Sequence, residues 1–308
     1  MIDVGNPSQP ILLNQLPLPG DATDVAVDFD LRIAAVAAND GGLHLVDIAD
    51  SGSPRLLSTC PAKAERVEVV NGVAYFVSGG LLRAVDLLSR EALPSLASPL
   101  GSVLGMTREG TMLYFTDPGS NLRLVDVSGP TMKLRGQLMV GAPFVRSPIR
   151  RPVVGNGIAY LTLSDITAGG GGYATVDVSN PDAPKIIHGT DVPQMDVPPF
   201  EYVPGKGMAL NGSGHGLLIG WLLTAGNYVN RLNVMNVSDP ARTYVRVTSF
   251  NLPTFPQSVT IADHVAYVAC GPAGLVMVNY LNFDAQGRPP TVVLSAGVAD
   301  ADPTKPGV

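Results

Sequence analysis

The sequence predicts an all-β chain, a β-propeller built of four-stranded antiparallel blades. Three observations predict it: a composition too rich in turn formers for long helices, a strand-like token that recurs along the chain, and tight-turn dipeptides between the tokens. Gly 34 and Pro 27 together make nearly 20% of the 308 residues, against about 12% in average usage. Hydrophobic residues reach 45% and charged residues only 15%, which suits a large packed core and argues against disorder.

The first token is apolar, Asp, apolar. It occurs at Ile2-Asp3-Val4, Val46-Asp47-Ile48, Val85-Asp86-Leu87, Val125-Asp126-Val127 and Val176-Asp177-Val178, with Asn in place of Asp at Met235-Asn236-Val237 and Val278-Asn279-Tyr280. The seven central positions are 44, 39, 40, 51, 59 and 43 residues apart, the period of a propeller blade. A second token of small and apolar residues, usually around Tyr, precedes most of them: Ala34-Ala35-Val36, Ala74-Tyr75-Phe76, Leu113-Tyr114-Phe115, Ala159-Tyr160-Leu161 and Ala266-Tyr267-Val268. The stretch 216–221 departs by carrying Trp221 in place of Tyr. Asn71-Gly72 and Asn156-Gly157 are dipeptides favoured by two-residue hairpins, whose turn needs positive φ at both central residues.

Taken in order, the first complete unit reads as strand A over 24–29, B over 32–38, C over 43–48 and D over 55–59, a meander with short loops. A lone meander leaves its faces uncovered, and neighbouring copies supply the burial. Later A strands begin near Ala64, Ser102, Arg151, Tyr202 and Gln257. Six A–B pairs but seven C–D pairs result, the extra pair being N-terminal. Six blades are therefore preferred, with the D-type strand at 11–16 expected to complete the last blade in competition with 291–295. Seven follow if a blade begins upstream of Met1. Residues 1–298 form one propeller domain, and the polar, Asp/Pro-rich stretch 299–308 reads as a linker-like tail.

The pattern Gly-Leu-x-x-Val-Asp, with Asn-Gly-x-Ala-Tyr upstream, resembles the LVIVD-repeat β-propeller family. Gly42-Leu43-His44-Leu45-Val46-Asp47, Tyr173 to Pro184 and Gly274-Leu275-Val276-Met277-Val278-Asn279 carry it most clearly. The resemblance implies a domain of a larger bacterial surface or secreted protein, extracellular in location, with immunoglobulin-like or cadherin-like neighbouring domains as partners. It brings no shared catalytic residues.

Composition excludes some functions. A net charge of −6, with 5 Lys beside 15 Arg, gives no basic stripe to displace counterions from a phosphate backbone, so nucleic acid is not an expected partner. The longest apolar run, 216–226, is about half a membrane-spanning helix, so no membrane insertion is expected. Cys60 and Cys270 form neither a disulfide framework nor a metal-type C-x-x-C and read as buried thiols. Gly-x-Ser-x-Gly is missing, and the polyglycine at 169–172 lacks the Lys-Ser/Thr of a phosphate loop. Of the four histidines, His215 and His264 fall near one end of adjacent blades without a third ligand. The repeated Asp suggests a Ca²⁺ ring, but its place before a polar turn, with Asn substituting twice, reads as an Asx turn. No catalytic residue, metal site or cofactor is assigned, and Ca²⁺ has no motif behind it.

The long connections carry the functional expectation, because loops on a rigid scaffold are where binding concentrates. The D-to-A loops 139–152 and 190–204 and the B-to-C loops 164–172 and 224–230 share one face. Phe144, Arg146, Arg150 and Arg151, beside Phe200, Glu201 and Tyr202, make a candidate binding patch, since Arg combines bidentate hydrogen bonding with aromatic stacking. The plainer reading pairs these arginines with Asp191, Asp196 and Glu201 on the neighbouring blade. The expected function is a non-catalytic interaction or adhesion module that binds protein or glycan through this face. A metal-dependent hydrolase or lactonase with a site at the channel mouth, and a structural spacer in a longer chain, are the rivals.

Overall fold

The computed structural model describes residues 1–6, 9–140, 151–163, 172–188, 205–224, 227–243, 245–263 and 265–280. It is a six-bladed β-propeller with almost no helix. Blade 1 is the meander β3 (Asp24–Asp28), β4 (Ile33–Ala37), β5 (Leu43–Asp47) and β6 (Arg55–Cys60), within a residue or two of the sequence reading. Blades 2 to 5 repeat it as β7 to β10, β11 to β14, β15 to β18 and β19 to β22, with A strands at Arg66–Val70, Gly105–Glu109, Pro152–Gly155 and Gly207–Leu210. Blade 6 shows three described strands, β23 (Ser258–Ala262), β24 (Val265–Ala269) and β25 (Leu275–Asn279).

Each token has a physical role. Asn71-Gly72 and Asn156-Gly157 adopt the required positive φ, 48° and 77° in the first pair and 54° and 73° in the second. The tyrosines Tyr75, Tyr114 and Tyr160 are buried against the following blade. Five apolar clusters hold successive blades together: blade 1 on 2 around Phe76, 2 on 3 around Phe115, 3 on 4 around Leu161, 4 on 5 around Tyr173, and 5 on 6 around Tyr280. A register shift recurs at one repeat position of the C–D pair, at Leu45/Val46, Leu124/Val125, Thr175/Val176 and Val234/Met235. Such bulges add local twist, and the sequence reading did not anticipate them.

The repeated Asp closes a turn, as its residue type suggests. Asp47 Oδ1 accepts the N–H of Ala49 at 2.9 Å, Asp126 that of Ser128 at 2.9 Å, Asp177 that of Ser179 at 3.0 Å, and Asn236 that of Ser238 at 3.0 Å. Backbone donors hold the Asp47 and Asp86 carboxyls below the ordinary value near 3.8, and the Ser128 and Ser179 side chains and amides do so for Asp126 and Asp177. A carboxylate lowered in the folded state adds stability above its unfolded pKa and loses it as pH falls through the folded value. Replacing Asp47, Asp86, Asp126 and Asp177 together by Asn is expected to leave the fold intact at pH 7, as Asn236 already illustrates, and to flatten the acid limb below pH 4. Urea midpoints at pH 3 and pH 7 test this, and an unchanged acid limb would refute it.

Two expectations are corrected. The N-terminal D-type strand β2 (Ile11–Leu12) does not complete the last blade; it pairs antiparallel with β1 (Ile2–Asp3) in a separate two-stranded sheet. Within the expected loop 224–230, the described residues 224 and 227–230 are strand. β20 (His215–Thr224) and β21 (Asn227–Asn236) pair along their full length, because apolar and β-branched residues continue past the blade's usual edge. Cys270 is buried and its thiol is pushed up to about 11 by burial, while Cys60 is half-buried. Among the described residues no helix is long and apolar enough to cross a membrane.

Candidate functional site

Antiparallel order places the D-to-A and B-to-C connections on one face, where each A strand begins. Two constellations lie there. The first is axial. Arg151, immediately before β15 of blade 4, reaches Asp24 at the start of β3 in blade 1, Nη1 to Oδ1 3.2 Å, and Glu68 in the middle of β7 in blade 2, Nη2 to Oε1 2.8 Å. Blades 4 and 1 are three places apart in the ring, so this guanidinium bridges the mouth of the channel. Asp24 also accepts from the amides of Val25 and Val67 at 3.1 and 3.2 Å, tying blade 1 to blade 2. The Glu68 side chain is 10% exposed. Burial raises its pKa against the opposing pull of Arg151, as expected for a carboxylate withdrawn from water.

Arg151 is therefore paired with Asp24 and Glu68, acids of blades 1 and 2. The reason is geometric, since A strands converge on the axis and bring residues 127 and 83 positions apart into contact. Phe144, Arg146, Arg150, Phe200, Glu201 and Tyr202 lie outside the described residues, as do Asp191, Asp196 and His264. Among the described residues no group of three His, Cys, Asp or Glu side chains gathers at metal-ligand distance.

The second constellation is aromatic and escaped the sequence reading. β20 and β21 are 10 residues each, against 5 or 6 for the B strands of the other blades. Their ends, 220–224 and 227–230, continue beyond the pairing with β19 and β22 as a two-stranded ribbon. Trp221 and Tyr228 sit diagonally across this ribbon, on one side of it. Phe255, from the connection between β22 (Arg246–Asn251) and β23, stands edge-on to both, at 5.6 Å and 87° from Trp221 and at 5.2 Å and 65° from Tyr228. Lys206 Nζ lies 5.0 Å from the Trp221 ring centroid and donates to Gln257 Oε1 at 2.5 Å. Tyr228 is 57% and Phe255 41% exposed. The usable signal was length: the apolar strand that holds Trp221 starts at the repeat's usual position, His215 opposite Asn236, and outruns the other B strands only at its far end.

Residues 19–62 match the family model of the LVIVD repeat. None of the curated proteins matches the sequence. Among solved structures, the RRP9 WD40 repeats superpose with a TM-score of 0.63 at 11% identity, over 92% of this chain and 81% of that one. Hydrazine synthase of Kuenenia stuttgartiensis gives 0.63 at 9%, over 86% and 78%, and a chain of the Mitotic Checkpoint Complex gives 0.56 at 15%, over 86% and 77%. Similarity at these identities shows the propeller fold alone, on which function varies widely.

Proposed function

We propose that the protein is a non-catalytic interaction module that binds a protein or glycan through the D-to-A and B-to-C face. The observation that carries this reading is the aromatic group formed by half-buried Trp221 and exposed Tyr228 on the ribbon with exposed Phe255 from the neighbouring connection. Large aromatic side chains held edge to face lose little entropy on binding and supply the anchors on which interface energy concentrates. Lys206 and Gln257 at its border add polar groups able to meet a carbonyl or a sugar hydroxyl. The axial acids support the same reading, since Asp24 and Glu68 are engaged by Arg151 and by backbone amides. Surface or secreted placement and an adhesive role belong to this proposal through the family resemblance.

Trp221 is the single tryptophan, so intrinsic fluorescence reports directly on the site. Candidate glycans and partner proteins are titrated against the chain while the Trp221 emission is followed. Tyr228→Ala combined with Phe255→Ala is expected to weaken binding at least about tenfold with little change in stability, both side chains being well exposed. Binding that persists undiminished in that double variant, with Trp221 emission unmoved, would place the contact elsewhere and defeat the proposal.

A further inference from the structure

The two most exposed large apolar side chains among the described residues, Phe29 at 82% and Leu88 at 69%, sit on one face of the ring and at one seam. That face carries the A-to-B and C-to-D turns and lies opposite the aromatic ribbon. Phe29 belongs to the A-to-B turn of blade 1 and Leu88 to the C-to-D turn of blade 2. Leu31, from the same turn as Phe29, is half-buried against the apolar cluster that contains Leu87, the neighbour of Leu88. Its Cδ1 lies 3.5 Å from the Cβ position of Gly72, whose carbonyl accepts the Leu87 amide at 2.9 Å. Phe29, Leu31 and Leu88 therefore gather along the seam between blades 1 and 2.

A single exposed apolar residue needs no explanation, but these two stand where the repeat places polar ones. Two residues after the token Asp or Asn, blades 3, 4 and 5 carry Ser128, Ser179 and Ser238, and the hydroxyls of Ser179 and Ser238 donate to the token side chain at 2.6 Å. Leu88 forgoes that hydrogen bond. In place of the two-residue turns Asn71-Gly72 and Asn156-Gly157, blade 1 has the four residues 29–32, opening on Phe29. Both turns are fixed. Asp28 Oδ1 accepts the amides of Asp30 and Leu31 at 3.1 and 2.9 Å, and its Oδ2 accepts that of Gly72 at 3.2 Å. Asp86 Oδ1 accepts the amides of Leu88 and Ser89 at 3.0 and 2.8 Å. Anchors held in place before contact lose little freedom on binding.

The charge around these anchors is predominantly negative. The two turns that carry them hold Asp28, Asp30, Asp86 and Glu91 against Arg32 and Arg90. The adjoining C-to-D turn of blade 1 adds Asp50, since its Arg55 is taken up by Asp47 at 2.7 Å. We propose that this seam is a docking surface for a protein segment of complementary character, one that presents large apolar side chains between Lys or Arg residues. The apolar side chains cover Phe29, Leu31 and Leu88, and the cations meet the exposed carboxylates of Asp30, Asp50 and Glu91, a match that sets partner choice and association rate. Like charge disfavours the other occupants. A second copy related by a two-fold axis brings the same acids against themselves, an anionic membrane faces them, and residues 281–308 of this chain hold three Asp against one Arg and one Lys. The surface is on the face opposite Trp221, Tyr228 and Phe255, and it stands or falls independently of them.

The probe is a short synthetic peptide with one Leu and one Phe set between two pairs of Lys, titrated into the full chain. Two control peptides accompany it, one with Glu in place of every Lys and one with Ser in place of Leu and Phe. Saturable one-to-one binding of the first peptide is expected, with shifts of the Phe29 and Leu88 amide resonances and an affinity that falls as salt is raised. Phe29→Ser combined with Leu88→Ser is expected to weaken binding at least about tenfold. The urea midpoint is expected to stay where it is, since both side chains are exposed and serine is the repeat's usual residue at the Leu88 position. Equal affinity for either control peptide, or undiminished binding to the double variant, would overturn the proposal. So would a dimer of the chain that dissociates on Phe29→Ser, attachment to phosphatidylserine vesicles that is lost in the double variant, or an intrachain carbodiimide cross-link from Lys305 to Asp30 or Glu91, each of which assigns the surface to a different occupant.

Discussion

Truncation of Phe76 to Ala is expected to destabilise the protein by about 3–5 kcal/mol, the cost of deleting a buried aromatic ring and leaving a cavity behind. Phe76 is 1% exposed and belongs to the apolar cluster in which Val67, Val69, Val85 and Leu87 of blade 2 meet Ile33, Ala35 and Leu45 of blade 1. β-strands on both sides fix these positions, so the interface cannot collapse to refill the space. Val25→Ala, at a repeat position equivalent to Val67 but 54% exposed, is expected to change stability by no more than about 0.5 kcal/mol. Urea unfolding of both variants against the parent measures the contrast. A loss below about 1 kcal/mol for Phe76→Ala would mean that blades 1 and 2 do not depend on this packing.

That contrast also shows what was legible in the sequence. Period, token and turn chemistry are local properties that repeat, so the strand boundaries of blade 1 and the Asx role of Asp47, Asp86, Asp126 and Asp177 could be read directly. Blade order also follows from chain order, because each D strand leads into the next A strand. Contacts across the axis do not follow from it. Arg151 pairs with acids on blades 1 and 2, which linear adjacency did not indicate. The available clue was Glu68, a charge at the centre of β7 (Arg66–Val70) flanked by Val67, Val69 and Val70, since a buried carboxylate requires a cation or a set of donors.

The aromatic ribbon was hidden for a different reason. Trp221 was legible as a departure from the tyrosine token, but its side of the strand depends on how far β20 and β21 extend beyond the blade, and strand ends follow tertiary pairing more than composition. Phe255 joins the group from a connection between blades, a position that periodicity does not address. Closure by β2 failed as an expectation for a related reason. A strand's identity as a D strand can be read from the repeat, whereas the blade it joins is decided by the hairpin that already holds it, here β1.

Replacing Arg151 by Met is expected to cost about 2 kcal/mol near neutral pH and much less near pH 5. Removing one member of a buried ion pair strands the other, a penalty of about 3–5 kcal/mol when both are deeply buried. The Arg151 side chain is 49% exposed, so solvent screening reduces the figure. The pH dependence follows from Glu68. Burial raises its carboxyl pKa above the ordinary 4.5 even with Arg151 present, so over the window above 4.5 the folded protein holds a proton that the unfolded chain has released, and stability falls as pH rises through it. Loss of Arg151 removes the interaction that restrains this shift, so the window extends upward and the penalty grows with pH. Denaturation of the parent and the Arg151→Met chain at pH 5 and pH 7.5 measures the difference. Adding Glu68→Gln to Arg151→Met, which removes the stranded charge while keeping its shape, is expected to restore most of the loss at pH 7.5. Asp24 keeps the Val25 and Val67 amides as donors and is expected to tolerate the change. Equal losses at the two pH values, or no recovery with Glu68→Gln, would show that Arg151 acts through packing of its stem and not as the counter-ion of the channel mouth.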